Sequence, residues 1–125
     1  MLKVKDVMTT SVTTIDGNAT IATAMELLKS KGLRCLIVEP RDHNDAYGVL
    51  SETDIVYEVL AYDKNPNNIR VHEIMTKPCI VLNPDLALKY AARLFANTKI
   101  RRAPVIKDKL LGVVSVTDII RKYEF

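Results

Sequence analysis

The stretch Gly48-Val-Leu-Ser-Glu-Thr-Asp-Ile55 occurs a second time, slightly altered, as Gly112-Val-Val-Ser-Val-Thr-Asp-Ile119. In each copy a short apolar run leads into a serine, and an aspartate follows three positions after that serine. The apolar run has the length of a buried strand, and serine followed by an acidic residue at this spacing is a capping box that starts helices. Each copy therefore predicts a strand that passes directly into a helix.

The similarity between the two halves extends over most of the chain. Val4-Lys-Asp-Val-Met-Thr9 matches Val71-His-Glu-Ile-Met-Thr76 at an offset of 67 residues (from 4 to 71), whereas Gly48 matches Gly112 at an offset of 64. The first copy thus carries three additional residues, and they fall in its loop from 39 to 47. A folded repeat tolerates an insertion that is confined to a polar loop. We conclude that the chain is an internal duplication.

Each copy shows the order strand, helix, strand, strand, helix. In the first copy the predicted elements are 11–15, a helix around 21–28 that Gly32 stops, 35–38, 47–50 and 52–62. In the second copy they are 79–82, a helix around 88–95, 103–106, 110–114 and 116–123. The predicted domains are residues 1–62 and 71–125, joined by a linker over 63–70.

A unit of about 60 residues buries too little surface to be stable alone. Two copies that pack their sheets together would share one core and leave two equivalent clefts between them. The predicted fold class is therefore α/β (α+β), built from two pseudo-symmetric β-α-β-β-α units.

Composition narrows the class of protein. Hydrophobic residues make up 48% and charged residues 26% of the 125 residues, the balance of a globular protein. No apolar run reaches the roughly 20 residues that span a bilayer, and no apolar signal core follows the first charges. The net charge of +3 and the 6% aromatic content do not indicate a nucleic-acid partner. We expect a cytoplasmic protein without membrane contact.

Residues that often carry chemistry are few in this chain. Cys35 and Cys79 lack metal-ligand spacing, and two buried thiols are the favoured interpretation, with a disulfide left open. His43 lies in a polar loop typical of a solvated surface, although it could ligate a metal, and a surface or interfacial role is favoured for His72. No nucleophile elbow, phosphate loop or zinc pattern occurs. We therefore predict no enzyme, no catalytic cofactor and no metal site.

The repeated Ser-x-Thr-Asp phrase has two interpretations. It can simply start a helix, as a capping box does. Alternatively, the aspartate accepts two ribose hydroxyls while the hydroxyl groups and the backbone N–H groups of the helix start face a phosphate. The two interpretations are compatible, because the backbone of the aspartate belongs to the helix while its side chain points into a cleft.

The order and repetition of three motifs resemble tandem cystathionine-β-synthase-type (CBS) domains. They are the double Gly-apolar-apolar-Ser-x-Thr-Asp phrase, the opening Val-x-x-Val/Ile-Met-Thr, and Ile100-Arg-Arg-Ala-Pro-Val105, and the resemblance runs from Val4 to about Lys122. It implies a pair of subdomains known as a Bateman module, often in a disc-shaped homodimer. It also implies clefts that bind AMP, ADP, ATP or a related adenosyl compound such as S-adenosylmethionine and control a partner protein.

The resemblance also implies roles for residues at matching positions. Ribose would be held by Asp54 and Asp118, and the residues near ribose and phosphate would be Ser51, Thr53, Ser115 and Thr117. The adenine would be framed by Thr10, Ser11, Val12, Lys77, Pro78 and Cys79. The phosphate partners would be Arg34, Arg101 and Arg102, whose guanidinium geometry suits phosphate.

The two copies differ in how well they match the family. Arg101-Arg102-Ala103-Pro104 follows its pattern, whereas Arg34-Cys35-Leu36-Ile37 has lost the second arginine and the proline. Thr76-Lys77-Pro78 likewise matches better than Thr9-Thr10-Ser11. We therefore predict that the cleft centred on Asp118 is the stronger site.

The leading hypothesis is a ligand sensor whose subdomains change angle when nucleotide binds, so that a separate partner protein reads the change. Nothing else in the chain could act as the effector. The main alternative is a ligand-free structural or dimerisation module, and a small nucleic-acid binder and an unrecognised hydrolase are two further alternatives. The helices near Met25 and Tyr90, together with the helix that closes each copy, carry more apolar surface than one small module covers. We therefore expect a homodimer.

Overall fold

A computed structural model of the protein describes residues 1–124. Its helices and strands, in chain order, are α1 (Val4–Val7), β1 (Thr14–Ile15), α2 (Ile21–Lys31), β2 (Cys35–Val38), β3 (Gly48–Ser51), α3 (Glu52–Glu58), α4 (Leu88–Thr98), β4 (Arg102–Lys107), β5 (Lys109–Ser115) and α5 (Val116–Lys122). Short 3₁₀ turns cover Leu60–Tyr62, Pro66–Asn68 and Val71–Glu73. The chain folds into two compact units, residues 13–79 (the central unit) and residues 1–12 with 80–124 (the terminal unit).

The central unit is built on a three-stranded sheet in the order β1-β2-β3. β1 runs parallel to β2, and β2 pairs antiparallel with β3, so that Cys35 lies opposite Ser51 and Val38 opposite Gly48. The apolar side chains of β2 and β3 and one face of α2 form its core, which is completed by Val71. This short, mixed sheet and its helices position the start of α3 at one end of β3.

The terminal unit is built on the antiparallel hairpin β4–β5, in which Arg102 lies opposite Ser115. Leu82 adds a single parallel bridge to Val105 and stands where β1 stands in the central unit. The core contains α4, this hairpin and the buried residues Val4 and Val7 of α1. Its arrangement is the same as that of the central unit, with a shorter first strand.

The compact units exchange the opening segments of the two copies. The segment that opens the first copy lies in the terminal unit, where Val4 N donates to Leu86 O at 2.9 Å. The segment that opens the second copy lies in the central unit, where Val71 N donates to Ala19 O, also at 2.9 Å. The predicted boundaries at 62 and 71 follow the sequence repeat, whereas each compact unit contains chain from both copies.

The predicted fold class is confirmed, and the local signals explain most element ends. Gly32 adopts a left-handed conformation (φ 62°) and ends α2, as its position predicted. The helix predicted over 52–62 ends earlier, at Glu58, and is followed by the 3₁₀ turn that stops at Asp63 (φ 57°). No helix within residues 1–124 has the length and apolar character needed to cross a bilayer.

Both cysteines are thiols, as the sequence favoured. The sequence also indicated that they are buried, whereas the structure shows both of them half-buried. Cys35 is the first residue of β2, at the end of the strand, and Cys79 follows the last residues that pair with β3. Partial burial raises the pKa of the Cys79 thiol. Cys35 lies at the end of a strand and Cys79 lies outside the strands, and at such positions neighbouring side chains cover a residue on fewer sides.

Candidate functional site

Both Ser-x-Thr-Asp phrases form the helix caps that their spacing predicts. Ser51 Oγ accepts a hydrogen bond from Asp54 N at 3.1 Å, and Asp54 Oδ2 accepts one from Ser51 N at 2.8 Å. At the start of α5, Ser115 Oγ accepts from Asp118 N at 3.1 Å, and Asp118 Oδ2 accepts from Ser115 N at 2.9 Å. Each pair is a reciprocal capping box.

The caps leave one carboxylate oxygen of each aspartate for other partners. Asp118 Oδ1 accepts a hydrogen bond from the Thr9 hydroxyl at 3.3 Å. Asp54 Oδ1 accepts none of the hydrogen bonds found within residues 1–124. An ionised carboxylate has about four acceptor positions, so capping does not exhaust either side chain. Both aspartates are half-buried, which leaves the outer oxygen accessible.

A short segment from the other copy runs beside each capped helix start. We call residues 8–12 the first strap and residues 75–79 the second strap. The first strap pairs with β5 through Thr9, which exchanges two hydrogen bonds of 2.9 Å with Val113. The second strap pairs with β3 through Thr76, which exchanges hydrogen bonds of 2.9 and 3.0 Å with Val49. These backbone bonds fix which strap belongs to which helix start.

Glycine at the start of each repeated phrase is required by this close approach. A Cβ atom on Gly112 would lie 2.6 Å from Thr9 O, and one on Gly48 would lie 3.0 Å from Met75 Sδ and 3.2 Å from Thr76 O. Any larger residue would push the strap away from the strand. The glycine of the phrase therefore makes room for the strap.

The straps divide the predicted adenine-framing residues in a way that the repeat did not indicate. Thr10, Ser11 and Val12 lie in the terminal unit with Asp118, whereas Lys77, Pro78 and Cys79 lie in the central unit with Asp54. The repeat alone groups each strap with the cleft of its own copy. The Asp118 site was favoured by two features, the paired arginines and the Lys77-Pro78 segment. Arg101 and Arg102 belong to the same unit as Asp118, whereas Lys77 and Pro78 belong to the unit of Asp54.

The predicted phosphate partners lie next to the capped turns. Arg34 O accepts from Glu52 N at 2.9 Å, and Arg101 O accepts from Val116 N at 2.8 Å. Arg102 lies opposite Ser115 in the hairpin. None of these three side chains takes part in an ion pair within residues 1–124. Their guanidinium groups thus remain available to an anion near the start of α3 or α5.

Lys77 has a different role from the arginines. Its side chain is only 18% exposed, and its Nζ lies 2.5 Å from Asp45 Oδ2. Asp45 also accepts from Arg41 N at 2.8 Å and from Arg41 Nε at 3.1 Å. These contacts, led by the Arg41 backbone N–H and followed by the Lys77 and Arg41 side chains, hold the pKa of Asp45 well below its usual range. Lys77 therefore fastens the second strap to the loop that carries the insertion.

Sequence reasoning missed Asp45, although a signal was present. The loop 39–47 of the first copy carries two aspartates, Asp42 and Asp45, whereas the corresponding loop 106–111 carries one, Asp108. An extra acidic residue in one copy, beside a lysine that also occurs in only one copy, indicates an ion pair specific to one unit. The structure brings this pair together.

The histidines form no recognisable metal centre. Within the part of the chain that the structure describes, no group of three or more histidine, cysteine or acidic side chains could hold a metal ion. His43 is exposed in the insertion loop, and His72 is exposed in the turn Val71–Glu73.

A family model described as CBS domain matches residues 4–61 and 71–124. The chain belongs to the CBS-domain family. Tandem CBS pairs of this kind are regulatory modules. The CBS domain-containing protein YhcV of Bacillus subtilis is 32% identical over 120 residues, which cover 95% of this chain and 84% of YhcV. Against an uncharacterised Methanopyrus kandleri relative, MK0525, this CBS pair spans only 53% of that protein's length.

Solved structures show the same fold as this CBS pair. A hexameric CBS-CP12 protein from bloom-forming cyanobacteria matches with a TM-score of 0.95 and 56% identity, over 100% of this chain and 73% of its own. The CBS domain pair of protein MJ0100, in complex with 5′-methylthioadenosine and S-adenosyl-L-methionine, matches with a TM-score of 0.82 and 26% identity. That match covers 96% of this chain and 98% of the MJ0100 pair.

Proposed function

We propose that this CBS pair is a sensor that binds an adenosyl ligand at its capped helix starts and signals to a separate partner protein. The ligand is AMP, ADP, ATP or S-adenosylmethionine, and the chain itself carries out no catalysis. The observation that carries the proposal is the second carboxylate oxygen of Asp118, which the cap does not use and which faces the strap at Thr9. We further propose that the protein acts as a cytoplasmic homodimer.

In the terminal unit, the Asp118 carboxylate would accept the ribose hydroxyls, displacing the long 3.3 Å contact from Thr9. The Thr9 hydrogen bond is the longest that the Asp118 carboxylate accepts, so a ribose hydroxyl can replace it most easily. The residues of this unit that we propose for the site are Ser115, Thr117, Arg101, Arg102, Thr10, Ser11 and Val12. Two guanidinium groups without ion-pair partners in the described chain favour a phosphorylated ligand in this unit.

In the central unit, Asp54 would hold the ribose in the same way. The residues of this unit that we propose for the site are Ser51, Thr53, Arg34, Lys77, Pro78 and Cys79. Of the three predicted phosphate partners only Arg34 belongs to this unit, and Lys77 is engaged by Asp45. This unit should therefore bind phosphate less tightly than the terminal unit.

The comparison with MJ0100 supports an adenosyl ligand. That CBS pair holds two adenosyl compounds, and it is similar to this chain over almost its full length. Adenosine has two groups that the proposed site can recognise. Its vicinal hydroxyls can bind the aspartate carboxylate at the capped helix start, and its aromatic ring can pack against the strap.

Calorimetric titration of the full chain with adenosine, AMP, ADP, ATP and S-adenosylmethionine tests the proposal. We expect at least one of these compounds to bind with a stoichiometry of one or two per chain. Absence of heat and of thermal stabilisation with all five compounds would reject the sensor function.

The second candidate function is a structural module that assembles without ligand. The capping boxes alone account for both serines and both aspartates, and several apolar side chains of α3 and α5 are exposed, among them Val56, Val116 and Ile120. A protein that dimerises and binds none of the five adenosyl compounds would support this function instead.

A further inference from the structure

A second cleft lies in the central unit, at the opposite end of the sheet from the Asp54 turn. It has a volume of about 560 Å³ and is lined by residues that follow β1 and β2, by His72, and by Met75 and Lys77 of the second strap. Val38, at the end of β2, lines this cleft and pairs with Gly48, whereas Ser51 pairs with Cys35 at the other end of the strands. The cleft therefore lies apart from the Asp54 turn, and Lys77 of the second strap is the residue that it shares with the adenosyl site proposed for the central unit.

The equivalent place in the terminal unit carries two ion pairs. Asp85 there accepts from Lys5 Nζ at 3.3 Å and from Lys107 Nζ at 3.2 Å. At the repeat offset of 67, the central unit has uncharged or weakly basic residues at these three positions, namely Asn18, His72 and Pro40. The central unit therefore cannot form the same ion pairs, and an open cleft replaces them.

The charges in the cleft are arranged as two poles. Asp16 and Glu39 form an acidic pole, and they lie side by side because Glu39 N donates to Ile15 O at 3.0 Å. Lys77 and Arg41 form a basic pole, and because Asp45 pairs with both of them the group keeps one net positive charge. The poles are built by different parts of the chain, the first by the ends of β1 and β2 and the second by the insertion loop and the second strap.

The charged groups keep capacity for a ligand. Asp16 Oδ1 accepts from Asn18 N and Glu39 Oε1 accepts from the Thr14 hydroxyl, at 2.7 and 2.8 Å, so that each carboxylate has a second oxygen available. A lysine ammonium has three donors and a guanidinium has five. Lys77 and Arg41 thus have donors beyond those that Asp45 uses. Met75, which is half-buried, supplies an apolar surface.

We propose that this cleft binds a small zwitterion of the free amino-acid type. The ammonium group of the ligand lies at Asp16 and Glu39, and its carboxylate lies at Lys77 and Arg41. A simple anion would meet two carboxylates and a simple cation would meet two basic groups, so that only a dipolar ligand complements both poles. The volume lies within the range of small-molecule sites, and the apolar surface suits an aliphatic side chain.

The proposal is tested by calorimetry and ligand-observed NMR with the common free L-amino acids, screened singly at millimolar concentration against the full chain. We expect an aliphatic amino acid such as leucine to bind. N-acetyl-leucine lacks the ammonium group and leucine methyl ester lacks the carboxylate, so each should bind about tenfold more weakly or worse. Binding by no amino acid, or equal binding by leucine and both derivatives, would overturn the proposal.

Variants locate the binding to the cleft. The triple change Asn18→Asp, Pro40→Lys and His72→Lys copies the ion pairs of the terminal unit and should abolish leucine binding. Glu39→Gln is a milder change that should weaken leucine binding about tenfold, and it decides the question if the triple variant does not fold. Asp85→Asn is the matched control in the other unit and should leave leucine binding unchanged.

Titration of the same variants with AMP separates this proposal from the adenosyl site. Loss of leucine binding with AMP binding retained is the expected result. If the wild-type protein binds leucine but no adenosyl compound, the sensor function fails and the amino-acid site stands. Leucine binding that survives in both Glu39→Gln and a folded triple variant would place the amino acid elsewhere and overturn the assignment.

Discussion

At the scale of single residues, Asp118 combines a cap with an outward-facing acceptor. An amide at this position keeps one oxygen for Ser115 N, and its NH₂ group faces the Thr9 hydroxyl, which can accept a hydrogen bond. Asp118→Asn should therefore change the free energy of unfolding by less than about 1 kcal/mol. The variant loses one acceptor for ribose, so nucleotide affinity should fall about tenfold or more.

Comparison of ribonucleotide with 2′-deoxyribonucleotide checks the role of Asp118. The wild-type protein should prefer the ribonucleotide, because the deoxy compound leaves part of the carboxylate without a partner. Asp118→Asn should lose this preference while its melting temperature stays nearly unchanged. Asp54→Asn is the matched change in the central unit and should affect binding less. Wild-type affinity in the Asp118→Asn variant would mean that Asp118 is only a cap.

Asp45 gives a second prediction at this scale, because its pKa is held well below the usual range. A carboxyl group whose pKa is lowered on folding stabilises the folded state above its unfolded pKa, and that contribution is lost as the pH falls through the folded pKa. Asp45→Asn should therefore lower the melting temperature at neutral pH. The difference from wild type should shrink below about pH 4, near the ordinary aspartate pKa.

The control for Asp45 is Asp42→Asn in the same loop. Asp42 accepts a hydrogen bond from Asn44 N at 2.8 Å, which an asparagine side chain can also accept. This variant should keep the wild-type melting temperature at neutral pH. An equal fall of the melting temperature in both variants would show that stability depends on the net charge of the loop and not on the Asp45 ion pair.

At the scale of elements, the pairing of each strap with its strand depends on one glycine. Gly112→Ala should destabilise the protein by about 1–3 kcal/mol, because its Cβ would lie 2.6 Å from a backbone oxygen that cannot move alone. Gly48→Ala should cost less, because its nearest contact is the flexible Met75 side chain at 3.0 Å. Urea unfolding measures both changes. The opposite order would mean that the second strap is the more rigid one.

Gly17→Ala is the control for the strap glycines. Its added Cβ would meet only ordinary contacts, at 3.5 Å or more, and the backbone is not left-handed there. The change should stay within about 0.5 kcal/mol of wild type, as most surface substitutions do.

At the scale of the whole molecule, each unit depends on a segment from the other copy. Val4 and Val71 are fully buried, in the cores of the terminal and central units respectively. Truncation of either valine to alanine should cost about 2 kcal/mol. In hydrogen exchange, Val4→Ala should expose amides of β4, β5 and α4, and Val71→Ala should expose amides of β2 and α2. If Val4→Ala instead weakens protection of β2, the units do not exchange segments as described.

The proposed dimer is tested by light scattering. The exposed apolar side chains of α5 include Val116 and Ile120, and the latter is 75% exposed. We expect a mass of about twice 14.0 kDa for the wild-type chain and a monomer for Ile120→Lys, because a charge disfavours burial in an interface. A wild-type monomer at tens of micromolar protein, with and without nucleotide, would reject the dimer.

The sequence by itself determined the repeat, the element order and the capping boxes. These features are local, since a capping box needs only four consecutive residues and the element order follows from hydrophobic period and turn residues. For the same reason, Gly32 was recognised as a helix stop and Gly48 and Gly112 were recognised as parts of a repeated phrase. The family resemblance rests on the same local motifs.

Only the tertiary structure decided which strap serves which helix start and where the charges meet. The hydrogen bonds of Thr9 with Val113 and of Thr76 with Val49 join residues far apart in sequence, and no local pattern encodes such a pairing. The Asp45–Lys77 pair and the cleft beside it depend on that pairing as well. Sequence spacing places residues along an element, whereas long-range backbone pairing decides which elements meet. For this reason each strap lies with the helix start of the other copy and not with that of its own copy.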